Sequence, residues 1–555
     1  MNTILFNIKN RISLVMLVAF SLLMTSCDDK LAEPVYDFAN EDFYSSTRKF
    51  EMGVVGVRAM FSTQKTYGWY WMVFDNDTDV SHISGPGIGS NNTARDLGHY
   101  YINSSNAWIE EAWGEYYQGI SRANLLLENM NKVKVKDTDT DREKFSRLIA
   151  EVRIFRALAY FDLVRLFGDI PFIDKFESVA SDFKYKRKSK AEIYEFICTE
   201  FEESIDDMPW YDEYSGGYNG NISKGAAQAL LARIYLFRGG WSLDQTGEMV
   251  REANYRDYYT KANTYLDALI SSGKHELNSS YEAVFKNLCE LKLEPKENLY
   301  EIPFYSATGA NAGSSIIGSY NGVLIPKESK FGRANAFIRT HKFFADTFED
   351  NDTRKPVAIA DWKMTMVDGK ERVVDIPANQ SYNWTPAKWR KDWYTGPIQD
   401  LNSTNINWVL IRYSDALLMK AEVMNELFGP TAETIAPLNQ VRRRAFGNNI
   451  SEVSSVDLNP SDFTKETLFE EIKAERAREL CFEGLRRLDL VRWNLLEQAI
   501  STTAAQFKAA QEKGDMKKYA FTAGQYFVHN QHELYPIPFR DITESQKSLT
   551  QNPGY

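Results

Sequence analysis

Residues 148–171 read LIAEVRIFRALAYFDLVRLFGDIP. Leu148, Val152, Phe155, Ala159, Leu163 and Leu166 recur at steps of three and four, which puts them on one face of an α-helix. Gly168 and Pro171 end that helix, because glycine frees the backbone after the last turn and proline cannot continue it. The same logic finds neighbours on both sides. Ser223 is placed to cap a helix whose Ala226, Ala227, Ala229 and Ala232 allow a close helix partner, and Gly239-Gly240 ends it. Residues 258–271 read as a helix closed by Gly273. Ser414 is placed to cap a helix running to Phe428, stopped by Gly429-Pro430, with 435–445 as its antiparallel partner. Residues 463–497 form a long charged helical stretch broken near Gly484. Its Glu and Arg residues at spacings of three and four pair across turns, as a solvated or interhelical lattice rather than a catalytic group.

Helix signals thin out between about 275 and 410, where Gly, Asn, Trp and Tyr rise, and again from Thr63 to Asn106. Loops of this length in a compact protein are functional or disordered, and their aromatic content argues for order. Helical hairpins with long loops on one face predict a mainly α protein, an α-α superhelix dressed on one side. Other classes fall away on composition. The 555 residues are 43% hydrophobic and 25% charged, which excludes a disordered chain. Lys and Arg number 65 against 76 Asp and Glu, a net charge of −11, so nucleic acid is not an expected partner. Mean hydropathy is −0.43 with a single long apolar run, which excludes a polytopic membrane protein.

That run opens the chain. Lys9 and Arg11 precede apolar residues 12–24, too short to span a bilayer, and small Thr25 and Ser26 precede Cys27. The pattern is a secretory signal over 1–26, and Leu23 to Cys27 looks like a bacterial lipobox. Its chemistry is acylation at Cys27, with several chains on one residue giving stable anchoring. Cleavage leaves 63 basic against 76 acidic residues, a net charge of −13. The remaining Cys198, Cys289 and Cys481 form no CxxC and read as buried free thiols.

The motifs, taken together, resemble the SusD/RagB family of outer-membrane nutrient-binding lipoproteins. The residues that carry the likeness are Arg153 to Pro171; Trp113, Tyr117 and the run from Ile120 to Asn124; Ser223 to Ala232; and Arg412 to Glu422. Glu475 to Arg487 with Asp489, Arg492 and Trp493 follows, then Tyr535 to Pro538 and the final Gln551 to Tyr555. They lie in family order over nearly the whole chain. The resemblance implies TPR-like helical hairpins as a scaffold, with a loop-rich ligand-binding region packed on it. The expected layout is a lipidated tether over 27–34 and one body over 35–555. Scaffold helices fall at about 35–62, 107–273 and 411–500, and ligand-binding loops at about 63–106 and 275–410. It also implies a surface-exposed, lipid-anchored place in the outer membrane and a SusC-like TonB-dependent β-barrel as partner. The ligand would be an oligosaccharide or, in some members, a peptide.

The chemistry-bearing residues agree with a binding protein. No HExxH, no nucleophile elbow and no Walker or Rossmann glycine pattern occurs. The six His residues, at 82, 99, 275, 341, 529 and 532, show no metal-ligand spacing. Asp75-Asn76-Asp77-Thr78-Asp79 begins like a calcium loop but has Val80 and Pro86 where an EF-hand needs Gly and Glu. Asp137 to Asp141 fails likewise and reads as an exposed interhelical loop. No cofactor or metal is expected. A glycosidase would need two carboxylates across a cleft, and no loop singles out such a pair. Sugar binding asks for aromatic rings against pyranose C–H faces and for polar groups at the hydroxyls. The candidates are Trp69, Tyr70, Trp71, Asp75, Asn76, Asp77, Asp79, Arg95 and Tyr100 in the first loop region, and Tyr305, Tyr320, Asn321, Trp362 and Trp389 in the second. Trp108 and Trp113, in a helical segment, are assigned to the core.

Overall fold

The computed structural model describes residues 44–85, 87–89, 93–177, 184–215, 217–305, 313–398 and 400–555. The signal segment and Cys27 lie outside them. Among the described residues no helix is long and apolar enough to cross a membrane.

The fold is mainly α. Helices α1 (Thr47–Arg58), α2 (Ala107–Asn129), α3 (Asp139–Phe167), α4 (Lys190–Glu202), α5 (Lys224–Arg238) and α6 (Tyr255–Ser271) follow in order. Then come α7 (Tyr281–Cys289), α8 (Tyr413–Phe428), α9 (Ala432–Ala445), α10 (Lys465–Leu480), α11 (Arg486–Arg492) and α12 (Leu496–Glu512). Packing runs along the chain: α1 and α2 on α3, α3 on α4, α4 on α5, α5 on α6, then α6 on α8 and α8 on both α9 and α10. Such nearest-neighbour stacking is the solenoid arrangement.

The central helix α3 contains the opening stretch. Thr138 caps it, its hydroxyl accepting from Asp141 N, and Asp139 and Asp141 sit in the first turn where the helix dipole favours them. The run Asp137 to Asp141 is therefore a helix start. Gly168 ends the helix at φ +71, as expected. Ser223 caps α5 as expected. Ser414 does not cap α8: the helix begins at Tyr413, two residues before a Ser414 cap would start it, Arg412 holds the N-cap position, and the Ser414 hydroxyl instead accepts from Arg412 Nη1 at 2.6 Å. The charged stretch breaks into α10 and α11 at 481–485, where Phe482 and Gly484 adopt φ of +67 and +75. Cys198, Cys289 and Cys481 are free and buried.

The loop-rich region is more structured than its sequence suggests. It holds α7 and a set of two-stranded antiparallel pairs: β1 (His82–Ile83) with β3 (Ile338–Arg339), β2 (Asn298–Ile302) with β6 (Trp408–Arg412), and β4 (Trp362–Val367) with β5 (Lys370–Asp375).

Buried charge joins this region to the scaffold. Arg412 donates to Glu297, Glu479 and Glu483 at 2.8–3.0 Å. Arg444 reaches Glu297 at 2.7 Å and Glu479 at 2.6 Å, and Arg354 reaches Asp352, Glu475 and Glu479. Lys388 pairs with Glu483 at 2.5 Å. Burial opposes ionisation of Glu475, but Arg354, Arg478 and Arg442 hold its carboxyl down at about 2. A second lattice links α5, α8, α10 and α11, with Arg476 bridging Asp415 and Asp489 while Arg233 reaches Asp415. The Glu and Arg spacings are thus interhelical and buried, not solvated.

Candidate functional site

The first loop region is fastened to α3 from below. The carboxylate of Asp162 accepts from Tyr67 at 2.8 Å and Tyr116 at 3.0 Å, and also pairs with Arg165. Above that anchor the chain turns sharply at Gly68, where a Cβ would stand 2.8 Å from the Thr63 carbonyl oxygen. Trp69 follows. Backbone hydrogen bonds then stitch three loops side by side: Ile316 N to Gly68 O at 3.1 Å, Ile338 N to Tyr320 O at 2.8 Å, and Ser84 N to Phe337 O at 2.8 Å.

The stitching lines up four half-buried rings. The Trp69 ring lies edge-on to Trp108 with centroids 4.5 Å apart, and 5.0 Å from Tyr320. Tyr320 is 5.8 Å from Phe337. Beneath, Tyr70 stacks on Trp108 at 4.0 Å and donates from its hydroxyl to Glu111 at 2.5 Å. The Arg95 guanidinium stands 5.7 Å from the Phe337 ring centre, held by an Nε bond to Ser84 O at 2.9 Å. The Trp69 indole N–H has no acceptor among the described residues. The result is a ledge of flat apolar faces with a cation at hand.

Several expected ligand residues are elsewhere. Trp71 is buried, stacked 4.6 Å from Tyr67, and spends its N–H on Gly484 O. Tyr70 is a buried support for the ledge. Trp389 is buried against Trp408, and Asn321 is buried accepting from Gly318 N. Tyr100 is buried at φ +61 with its hydroxyl toward the Asn76 and Asp77 carbonyls.

The acidic run is a folded joint. Asp75 accepts from Arg487 N at 2.8 Å, and Asn76 accepts from Ser81 and donates to Met72 O. Asp77 accepts from Ile83 N at 2.7 Å and pairs with His99 at 2.5 Å. Burial pulls the His99 imidazole down, yet Asp77 beside it raises its pKa overall. Asp79 pairs with Arg486 at 2.6 Å and lines a separate cleft of about 480 Å³ between α10, α12 and Phe343. For the buried members, Tyr70, Trp71, Asp75, Asn76, Asp77, Tyr100, Asn321 and Trp389, direct ligand contact is replaced by internal work, because a side chain without exposed surface cannot meet a docked sugar.

Trp69, Arg95, Tyr305, Tyr320 and Trp362 keep exposed surface, Tyr305 most at 74%. Trp362 is half-buried under Arg390, on β4. Trp113 is core as expected, but Trp108 belongs to the ledge. Phe337 escaped the sequence reading. Its signal was the alternation Phe331, Arg333, Asn335, Phe337, Arg339, which is the period of an extended segment with one outward face. No group of three or more metal-ligating side chains occurs among the described residues.

Two family models match the sequence. That of the SusD family matches residues 312–555, and one described as starch-binding and associating with the outer membrane matches residues 64–236. Together they take in well over half of the chain. The chain belongs to the SusD/RagB family. A SusD homolog of known structure from Bacteroides thetaiotaomicron has a TM-score of 0.83 at 28% identity, covering 93% of this chain and 98% of that one. Among curated relatives, SusD-like protein P2 of Formosa agariphila is 23% identical over 99% of this chain and all of its own length. The starch-binding protein SusD of Bacteroides thetaiotaomicron is 26% identical over 79% of this chain and 76% of its own. The SusD-like helical scaffold and its loop-rich crown are thus those of the family. Neither family description names a reaction.

Proposed function

We propose that this SusD-like chain is a cell-surface glycan-binding lipoprotein, anchored through Cys27. It captures oligosaccharides on the ledge and passes them unchanged to a SusC-like TonB-dependent transporter. The observation that carries the reading is the row Trp69, Trp108, Tyr320 and Phe337, whose half-exposed faces suit pyranose C–H surfaces. The starch-binding relative and the starch-binding family description support the same ligand class.

A binding role also fits the perturbed carboxyls. Burial raises Asp75 and Glu301 to about 7, a value suited to an acid catalyst. Both are buried, and each is engaged by its own internal donors. Calorimetry and affinity gels against a polysaccharide panel test the proposal. A Trp69→Ala variant should lose roughly tenfold or more in affinity while still unfolding cooperatively, its melting temperature lowered by only a few degrees. Binding of peptides but no glycan would move the ligand class, and release of reducing sugar by purified protein would overturn the non-catalytic role.

A further inference from the structure

We infer that the ledge selects an anionic oligosaccharide, one bearing carboxylate or sulfate groups, and that Arg95, beside the Phe337 ring, and Arg339, two residues along the same face, read that charge. The inference rests on the glycan-binding reading and narrows it.

The geometry begins with β1 and β3. His82 pairs with Arg339 and Ile83 with Ile338, and Ser84 N bonds to Phe337 O. Side chains two apart on an extended segment share a face, so Phe337 and Arg339 point the same way. The burial pattern agrees, since Phe337 and Arg339 are half-buried while Ala336, Ile338 and Thr340 are buried. Arg95 approaches Phe337 from the Ser84 side. The Phe337 ring, continuous with the Trp69–Tyr320 row, therefore has the Arg95 guanidinium 5.7 Å from its centre and Arg339 two residues along the same face.

Neither guanidinium has a carboxylate within 4.0 Å among the described residues. Arg156, Arg354, Arg412, Arg476 and Arg492 are by contrast ion-paired, while Arg251, Arg333 and Arg487, which also lack a carboxylate within 4.0 Å among the described residues, donate to carbonyl or amide oxygens. Each also has few internal acceptors for its five N–H groups. Arg95 Nε donates to Ser84 O at 2.9 Å, Arg339 Nη1 donates to Asn383 O at 3.0 Å, and Arg339 Nε is buried with no acceptor. Arg187 shows the alternative: it too lacks a carboxylate, but five backbone and side-chain acceptors at the end of α3 occupy it. The adjacent carboxylate, Asp77, is taken by Ile83 N and His99. Burial lowers the Arg339 pKa to about 10, the direction expected of a cation without a counter-ion.

A neutral sugar would leave these two half-buried cations uncompensated as it covered them. An anion on the sugar would satisfy both, with charge-assisted and bidentate hydrogen bonds. The chain's overall charge of −11 does not prevent this, because screening at physiological salt confines the exposed charge to about 8 Å.

The test is calorimetry on the full chain with matched probes. Oligogalacturonate and alginate oligomers supply carboxylate, and sulfated galactan oligomers supply sulfate. Their neutral counterparts are cello-, xylo- and laminari-oligosaccharides and the desulfated galactan. At least one acidic series should bind roughly tenfold or more tighter than every neutral one, and that advantage should shrink as salt rises to about 0.5 M. Arg95→Gln and Arg339→Gln should each remove most of it, with melting temperatures unchanged. Trp69→Ala should weaken acidic and neutral ligands alike. Neutral glycans binding as well as acidic ones, with no salt dependence, would overturn the inference and leave glycan capture standing. Binding of no glycan of either kind would overturn both.

Discussion

Glu301 offers a quantitative test of the buried joint between β2 and β6. Its side chain is buried, and its two oxygens accept from Asn298 at 3.0 Å and Asn407 at 2.9 Å. No cation pairs with it among the described residues. Burial raises its carboxyl from 4.5 to about 7, against the pull of the Asn407 and Asn298 hydrogen bonds. The folded value lies above the unfolded one, so the neutral acid is the form that stabilises the fold. That contribution is complete below about pH 4.5 and is lost as pH rises through about 7. The raised value corresponds to ~3 kcal/mol. Glu301→Gln keeps the shape and stays neutral. Asn298, whose Oδ1 has no partner among the described residues, can rotate its amide to accept from the new Gln Nε2. Wild type and variant should therefore melt together near pH 4.5 and separate by pH 8, with the variant ahead by ~3 kcal/mol. For a chain of this length that is a shift of ~3 °C. Melting curves at four or five pH values check this. Parallel curves, or a variant less stable at pH 8, would refute the assignment of Glu301 as a buried neutral acid.

Three further outcomes are expected. Glu479→Gln takes the shared counter-ion from Arg354, Arg412 and Arg444, and should cost about 3–5 kcal/mol, read as a fall in melting temperature at pH 7. Gly484→Ala puts a Cβ 2.6 Å from the Trp71 indole at φ +75 and should destabilise by about 2 kcal/mol or more, with a red shift in tryptophan emission. Cys27→Ser should abolish labelling by palmitate and release the protein from the membrane fraction.

The helices were legible in the sequence because their signals are local. The three-and-four spacing in 148–166, the Ser223 cap and the Gly168 stop each lie within a few residues of what they determine. The Ser414 assignment failed because a distant partner decided it: Arg412, drawn to Glu297, Glu479 and Glu483, fixes where α8 starts. The ledge was half legible. Trp69, Arg95 and Tyr320 have the right chemistry and stand in loops, but so do Trp71 and Trp389. Only tertiary contacts, such as Trp71 to Gly484 across 413 residues and Trp389 to Trp408, separate core from surface. The acidic run was misread for the same reason. Its charges face Arg486, the Arg487 backbone and His99, none of which is near in sequence except the last.

The buried charge lattice between crown and scaffold has a consequence for how the molecule comes apart. An apolar seam between crown and scaffold could open in part and leave two tolerable surfaces. Here, separation would part Lys388 from Glu483 and break the Arg354 contacts to Glu475 and Glu479, leaving Arg354 with Asp352 alone. A nicked or half-unzipped form is therefore costly at every stage. Unfolding of loops and helices should be all-or-none, and proteases that probe partial opening should find no resistant fragment midway.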